Sequence, residues 1–91
     1  MRGPTEEEIG DATLRLRVNV GGLYRHYKTK EVYRVITIAK NTETLEDMVV
    51  YETHSYKSQL SNVWTRPIKM FLDTAIVDGE TVLRFTPVEE N

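Results

Sequence analysis

The 91 residues contain no cysteine. That absence removes disulfides, thiolate zinc sites, Cys-x-x-Cys redox motifs and thiol nucleophiles together. Long apolar runs are missing too. The longest, residues 35–39, is interrupted by Thr37 and falls far short of the roughly 20 apolar residues with which a helix crosses a bilayer. The stretch from Met1 to Gly10 is acidic and lacks the apolar core of a signal peptide, so a cytoplasmic location with no membrane association is expected. Histidine occurs only at His26 and His54, outside any His-x-His or His-Glu-x-x-His spacing, so no metal site is expected. There is no phosphate loop or dinucleotide fingerprint, and Ser55, Ser58 and Ser61 lack the glycines of a nucleophile elbow. No cofactor is expected.

What is present is the composition of an ordinary soluble globular domain, 40% hydrophobic and 29% charged. A chain this short reads as one domain over 1–91, with residues 1–12 an N-terminal extension expected to fray, and it buries only about 60% of its extended-chain surface. The formal net charge of −2 is unevenly spread: residues 12–40 carry +6, while residues 41–56 and 73–91 carry −4 each. A basic first half can attract an anion, although charges alternating along a β meander interleave on a closed barrel.

Hydrophobic periodicity points to strands. Leu14, Leu16, Val18 and Val20 alternate with polar residues, which predicts a strand over 14–20, although Ile9, Ala12, Leu16 and Val20 also fit a helical stripe. Gly21-Gly22 suits a two-residue hairpin turn, because both central residues of a type I′ turn need positive φ, and LYRHYK follows as the next strand. EVYRVITIAK and MVVYETHS, rich in β-branched and aromatic residues, form a second pair across the polar NTETLED turn. Both carry apolar residues on both faces, as long bent strands do. VWTRP is a short strand stopped at Pro67, and Ile68, Phe71 and Leu72 share one side of a single helical turn near 68–72. Asp78-Gly79 marks a tight hairpin. The fold class is mainly β, a small SH3-like barrel, with an OB-like five-stranded barrel as the alternative.

In order and spacing, GLYRHYK (22–28), YRV (33–35), AKNTET (39–44), MVVY (48–51), WTRP (64–67), MF (70–71), DG (78–79) and RF (84–85) resemble a small bacterial family, domain-of-unknown-function family 1653. The resemblance covers residues 22–85. It implies an SH3-type barrel and no particular function. One departure stands out: the family pattern usually has His-Ser before the Glu-Thr of its first long hairpin, and here the chain has Asn41-Thr42.

In an extended strand Tyr24, His26 and Lys28 point one way, and Leu23, Arg25 and Tyr27 the other. Leu23 and Tyr27 favour the Arg25 side as the buried one. Arg25 would then pair with Glu43, Glu46 or Asp47, or else sit at the floor of an anion pocket. Trp64 and Arg66, two apart, share a face, with Tyr51 and Tyr33 expected nearby. A lone tryptophan in so small a domain is expected to pack in or beside the core, yet rings beside guanidinium groups also suit a base-and-phosphate binder. The first reading is therefore a non-enzymatic binding module with candidate ligand residues Arg25, His26, Tyr51, Trp64 and Arg66. Its ligand would be anionic: a nucleotide, single-stranded nucleic acid or an acidic segment of a partner protein. The slightly acidic total argues against strong nonspecific nucleic-acid affinity. Two alternatives remain. One is a small hydrolase or lyase using His26 as acid or base with Arg66 holding an oxyanion. The other is a structural dimerisation domain pairing through an edge strand at 14–20, so that the chain is a monomer or a homodimer.

Overall fold

A computed structural model describes residues 13–53 and 62–89. The N-terminal extension 1–12, expected to fray, and His54, Ser55, Ser58 and Ser61 lie outside them. Among the described residues seven strands carry the fold: β1 (Leu23–His26), β2 (Val32–Lys40), β3 (Asp47–Thr53), β4 (Val63–Pro67), β5 (Thr74–Val77), β6 (Glu80–Leu83) and β7 (Phe85–Val88). Five of them form one antiparallel sheet in the order β4-β3-β2-β1-β7, and β5 and β6 form a separate hairpin. The mainly β reading holds, and a helical turn, Ile68–Phe71, stands directly after Pro67. The closed barrel is corrected: β4 and β7 are the sheet's two edges and do not pair, so the sheet is open. Both edges are short and each holds a proline, Pro67 or Pro87, whose missing N–H suits an edge rather than a closing seam. The expected bend is present, with the β2–β3 register shifting between Val35 and Thr37.

The open sheet buries one face. Val35, Val49 and Tyr51 point inward from β2 and β3, Tyr24 from β1 and Phe85 from β7, while Ile68 and Phe71 of the helical turn and Val18 complete the core. Rings dominate it. Phe71 stacks on Phe85 with centroids 4.3 Å apart, and Tyr24 meets Phe71 edge-on at 5.2 Å.

The strand expected over 14–20 is not there. Residues 13–15 form a helical turn in which the N–H groups of Leu16, Arg17 and Val18 donate to the carbonyls of Thr13, Leu14 and Arg15. Half-buried Leu14 and buried Val18 are four apart and face the core, whereas Leu16 is 88% exposed. The helical spacing within this stretch therefore outweighs the period of two. The edge-strand basis for a dimer falls with it. Gly21-Gly22 is likewise no type I′ turn: Gly21 has φ +88° but Gly22 does not adopt positive φ, and the Gly22 N–H donates to the Asn19 carbonyl. A Cβ at Gly22 would lie 2.6 Å from Asn19 Nδ2 and 3.0 Å from the Asn19 carbonyl oxygen, so a larger residue there would displace the Asn19 side chain. Asp78-Gly79 does form the expected tight turn, with φ of 50° and 81°.

Two turns repeat one design. In residues 26–31 the His26 N–H donates to the Glu31 carbonyl and the Lys30 N–H to the His26 carbonyl, and in residues 41–46 Asn41, Glu46 and Leu45 make the same pair of bonds. His26 Nδ1 accepts the N–H groups of Lys28 and Thr29 at 3.2 and 3.5 Å. Asn41 Oδ1 accepts those of Glu43 and Thr44 at 2.9 and 3.3 Å. Thr29 Oγ1 accepts from Glu31 N–H, and Thr44 Oγ1 from Glu46 N–H. The fifth residue of each turn, Lys30 or Leu45, adopts a left-handed backbone with φ of 64° or 63°. Leu45 is 68% exposed, so its side chain packs little while its backbone is strained. Leu45→Gly is therefore expected to raise stability by about 0.5–1 kcal/mol and Leu45→Val to lower it, read by urea unfolding.

At the end of the sheet where β3 begins, Asp47 is 1% exposed. Arg15 grips it with Nε 2.8 Å from Oδ2 and Nη2 2.5 Å from Oδ1, and Lys40 Nζ lies 3.0 Å from Oδ1. The Arg15 hydrogen bonds, helped by Lys40, hold the carboxyl below the usual carboxylate range against the opposing effect of burial. Asp47→Asn is expected to cost about 1–3 kcal/mol at neutral pH, the worth of charge-assisted bonds to a buried group. Because the folded pKa is depressed, the unfolded chain takes up this proton first. The stabilisation is complete above about pH 4 and is lost as pH falls below it. Urea unfolding of both proteins at pH 7 and pH 3 should show the difference between them shrinking in acid.

Candidate functional site

The antiparallel order brings five strand segments to one end of the sheet: the end of β1, the start of β2, the later part of β3, the start of β4 and the start of β7. His26 pairs with Phe85, Tyr24 with Tyr33 and Tyr51 with Trp64. Side chains on paired and alternate positions share a face, so His26, Tyr33, Tyr51, Trp64, Arg66 and Phe85 continue the core face outward. With Thr29 they line an open pocket of about 280 Å³. Four of the five candidate residues, His26, Tyr51, Trp64 and Arg66, thus come together.

Arg25 does not join them. It is exposed and lines a different cavity, on the other face of β1. The expected burial of the Arg25 side is reversed because Tyr24, 4% exposed, meets Phe71 and accepts a hydrogen bond from the Asn19 N–H at its hydroxyl. Of the three acids considered for Arg25, Asp47 is taken by Arg15 and Lys40. The expectation that Trp64 packs in the core is corrected as well: it is 48% exposed on edge strand β4, with its indole N–H donating to Thr53 Oγ1 at 3.3 Å. Phe85 and Thr29 escaped the sequence reading. Phe85 could have been found from the RF pair that carries part of the family resemblance, and Thr29 from its recurrence as Thr44 in the second turn.

The walls are aromatic. Tyr33 and Tyr51 meet edge-on at 5.2 Å, Tyr51 and Phe85 at 5.5 Å, and His26 and Phe85 at 5.0 Å. The Arg66 guanidinium carbon lies 5.4 Å from the Phe85 ring centroid, a cation over a π face. Among the described residues no Asp or Glu lines the pocket. Burial lowers the pKa of His26, and the positive charges of Arg66, Arg84 and Lys28 lower it further. Burial pushes the Tyr51 hydroxyl up, partly offset by Arg66 beside it.

Because His26 Nδ1 accepts backbone N–H groups, neutral His26 carries its proton on Nε2. The pocket therefore offers donors: an imidazole N–H, a guanidinium and a tyrosine hydroxyl. Acceptance of a substrate proton is a poor fit, since the basic nitrogen is already engaged. Among the described residues no three His, Asp or Glu side chains converge as metal ligands, and no helix is long and apolar enough to cross a membrane.

The fold and pocket define a small open-sheet β domain with an aromatic, cationic recess. The chain belongs to the family described as "Protein of unknown function (DUF1653)", whose profile matches residues 22–87. It is similar to the crystal structure of a DUF1653 protein from Bordetella bronchiseptica, with 29% identity, a TM-score of 0.66 and coverage of 79% of this chain and 90% of that one. The comparison with curated proteins gave no match.

In the free protein His26 should titrate below pH 6.5, and Arg66→Gln, by removing the largest charge contribution, should move it upward. Histidine ring NMR across pH 4–8 reads both; an unchanged His26 pKa in the variant would break the electrostatic account of the pocket.

Proposed function

We propose that this domain is a non-enzymatic binding module for a small anion bearing a planar ring, with a mononucleotide as the best-fitting class. The observation that carries this reading is the pocket itself: Tyr33, Tyr51, Trp64 and Phe85 around His26 and Arg66, with no carboxylate in the lining among the described residues. An anionic group would take the donors of Arg66 and His26, and the half-exposed Trp64 would supply a stacking face. The volume, about 280 Å³, suits one small ligand, and the net charge of −2 favours a local contact over a phosphate-tracking surface. A cytoplasmic setting agrees with such a ligand.

The test is an amide NMR titration with nucleoside monophosphates at low salt, repeated at high salt, with single-stranded RNA and an acidic peptide as parallel arms. Shifts should cluster at His26, Tyr51, Trp64 and Arg66. Trp64→Ala and Arg66→Gln should each weaken binding by about tenfold or more, from stacking and charge-assisted bonds worth about 1–3 kcal/mol. A bound anion favours protonated His26, so affinity should rise as pH falls from 8 to 5.5. Tighter binding of RNA or peptide would reassign the ligand class. No shift at these residues with any anion would overturn the site.

A further inference from the structure

The cavity that receives Arg25 is distinct from the aromatic pocket. Arg25 and Thr86 are paired across β1 and β7, so both stand on the outer face of the sheet, away from the core. The β5–β6 hairpin comes over this face. Its base is fixed where the Arg84 N–H donates to the Asp73 carbonyl and the Tyr27 N–H to the Arg84 carbonyl, each at 3.0 Å. Val77, Val82 and Leu83 of the hairpin, with Lys30 from the first turn, join Arg25 and Thr86 around about 340 Å³.

Two features of this cavity call for a ligand of mixed character. Its hairpin wall is apolar and solvent-exposed: Val77, 40% exposed, and half-buried Val82 stand on one face of the hairpin. Among the described residues its cations are unspent, because neither the Arg25 nor the Lys30 side chain takes part in an ion pair or hydrogen bond and no Asp or Glu lines the space. An apolar wall alone would accept any greasy molecule, and cations alone any anion. Together, within a volume near the lower end for small-molecule sites, they select one chemistry.

We propose that this outer cavity binds a small aliphatic carboxylate, its carboxylate at Arg25 and Lys30 and its apolar body against Val77, Val82 and Leu83. The same chemistry has two sources, a free medium-chain acid or the C-terminus of a peptide ending in an aliphatic residue.

The site is tested by amide NMR titration of the full chain with octanoate, butyrate, octanol and a short neutral peptide ending in leucine. Octanoate should produce saturable shifts at Arg25, Lys30, Val82 and Thr86. Butyrate, which lacks the apolar body, and octanol, which lacks the charge, should bind about tenfold more weakly or worse. The double variant Arg25→Gln/Lys30→Gln should lose octanoate affinity by about tenfold or more while keeping its amide spectrum elsewhere, since both residues are exposed. Either octanoate or the peptide as the tighter ligand supports the site and identifies its source. Equal binding of octanol and octanoate, shifts centred on Trp64, or no saturable shift at Val82 would overturn it. His26 borders both cavities, so its shift does not discriminate, whereas Trp64 and Val82 do.

Discussion

The ring of Phe85 is the contact on which the rest of the molecule depends. An unclosed sheet this small leaves one face that nothing within the sheet can cover, and burying that face is the main source of its stability. The chain meets this constraint with one helical turn after Pro67, which sets Phe71 flat on Phe85 at 4.3 Å with 11° between the planes. Tyr51 touches both rings, at 5.7 and 5.5 Å. With only two phenylalanines in 91 residues, both are spent on this stack. Loss of either would open a large void in a core of few residues.

Phe85 is also where core becomes pocket. The ring that stacks on Phe71 takes His26 edge-on and has the Arg66 guanidinium 5.4 Å from its centroid. Apart from Thr29, the pocket is thus lined from strands and packed rings, which fixes its donors in place. Charge is divided accordingly between the two ends of the sheet. Buried Asp47 is matched by Arg15 and Lys40, while Arg66 and His26 stand among rings with no acid of the described residues in the lining. An aromatic face attracts a cation without neutralising it, so the positive charge stays available.

The sequence made the strand content, the Asp78-Gly79 turn, the stop at Pro67 and the turn holding Ile68 and Phe71 readable, because each follows from local chemistry. Leu14 to Val20 misled because its apolar residues satisfy two periods, and only a long-range contact, Arg15 with Asp47 thirty-two residues away, accompanies the helical choice. The inward face of β1 was hidden for a similar reason. Leu23, Tyr24 and Tyr27 are equally apolar by type, and what decides is Phe71 lying against Tyr24. Closure of the sheet was not local information either, since it concerns two edges, β4 and β7, separated by the hairpin. The pocket was legible in part: Trp64 and Arg66 share a face by spacing alone, whereas Phe85 reaches it only through pairing with His26.

The recurring turn bears on what the departure at Asn41-Thr42 means. His26 and Asn41 hold equivalent places in turns with the same backbone bonds, the same threonine three residues on and the same left-handed fifth residue. In each, one side-chain acceptor receives two successive N–H groups, imidazole Nδ1 in one case and amide Oδ1 in the other. The chain itself therefore shows histidine and asparagine doing the same work, and a histidine at position 41 in relatives would fit as a cap of this kind. Replacing it with asparagine need not remove any chemistry. The two turns differ in surroundings instead: the 41–46 turn lies at the Asp47 end of the sheet, while His26 adjoins Phe85 and the charges of Arg66, Arg84 and Lys28. A common cap has become a pocket-lining donor because β1 ends beside β7, and its remaining nitrogen is the one the turn leaves over.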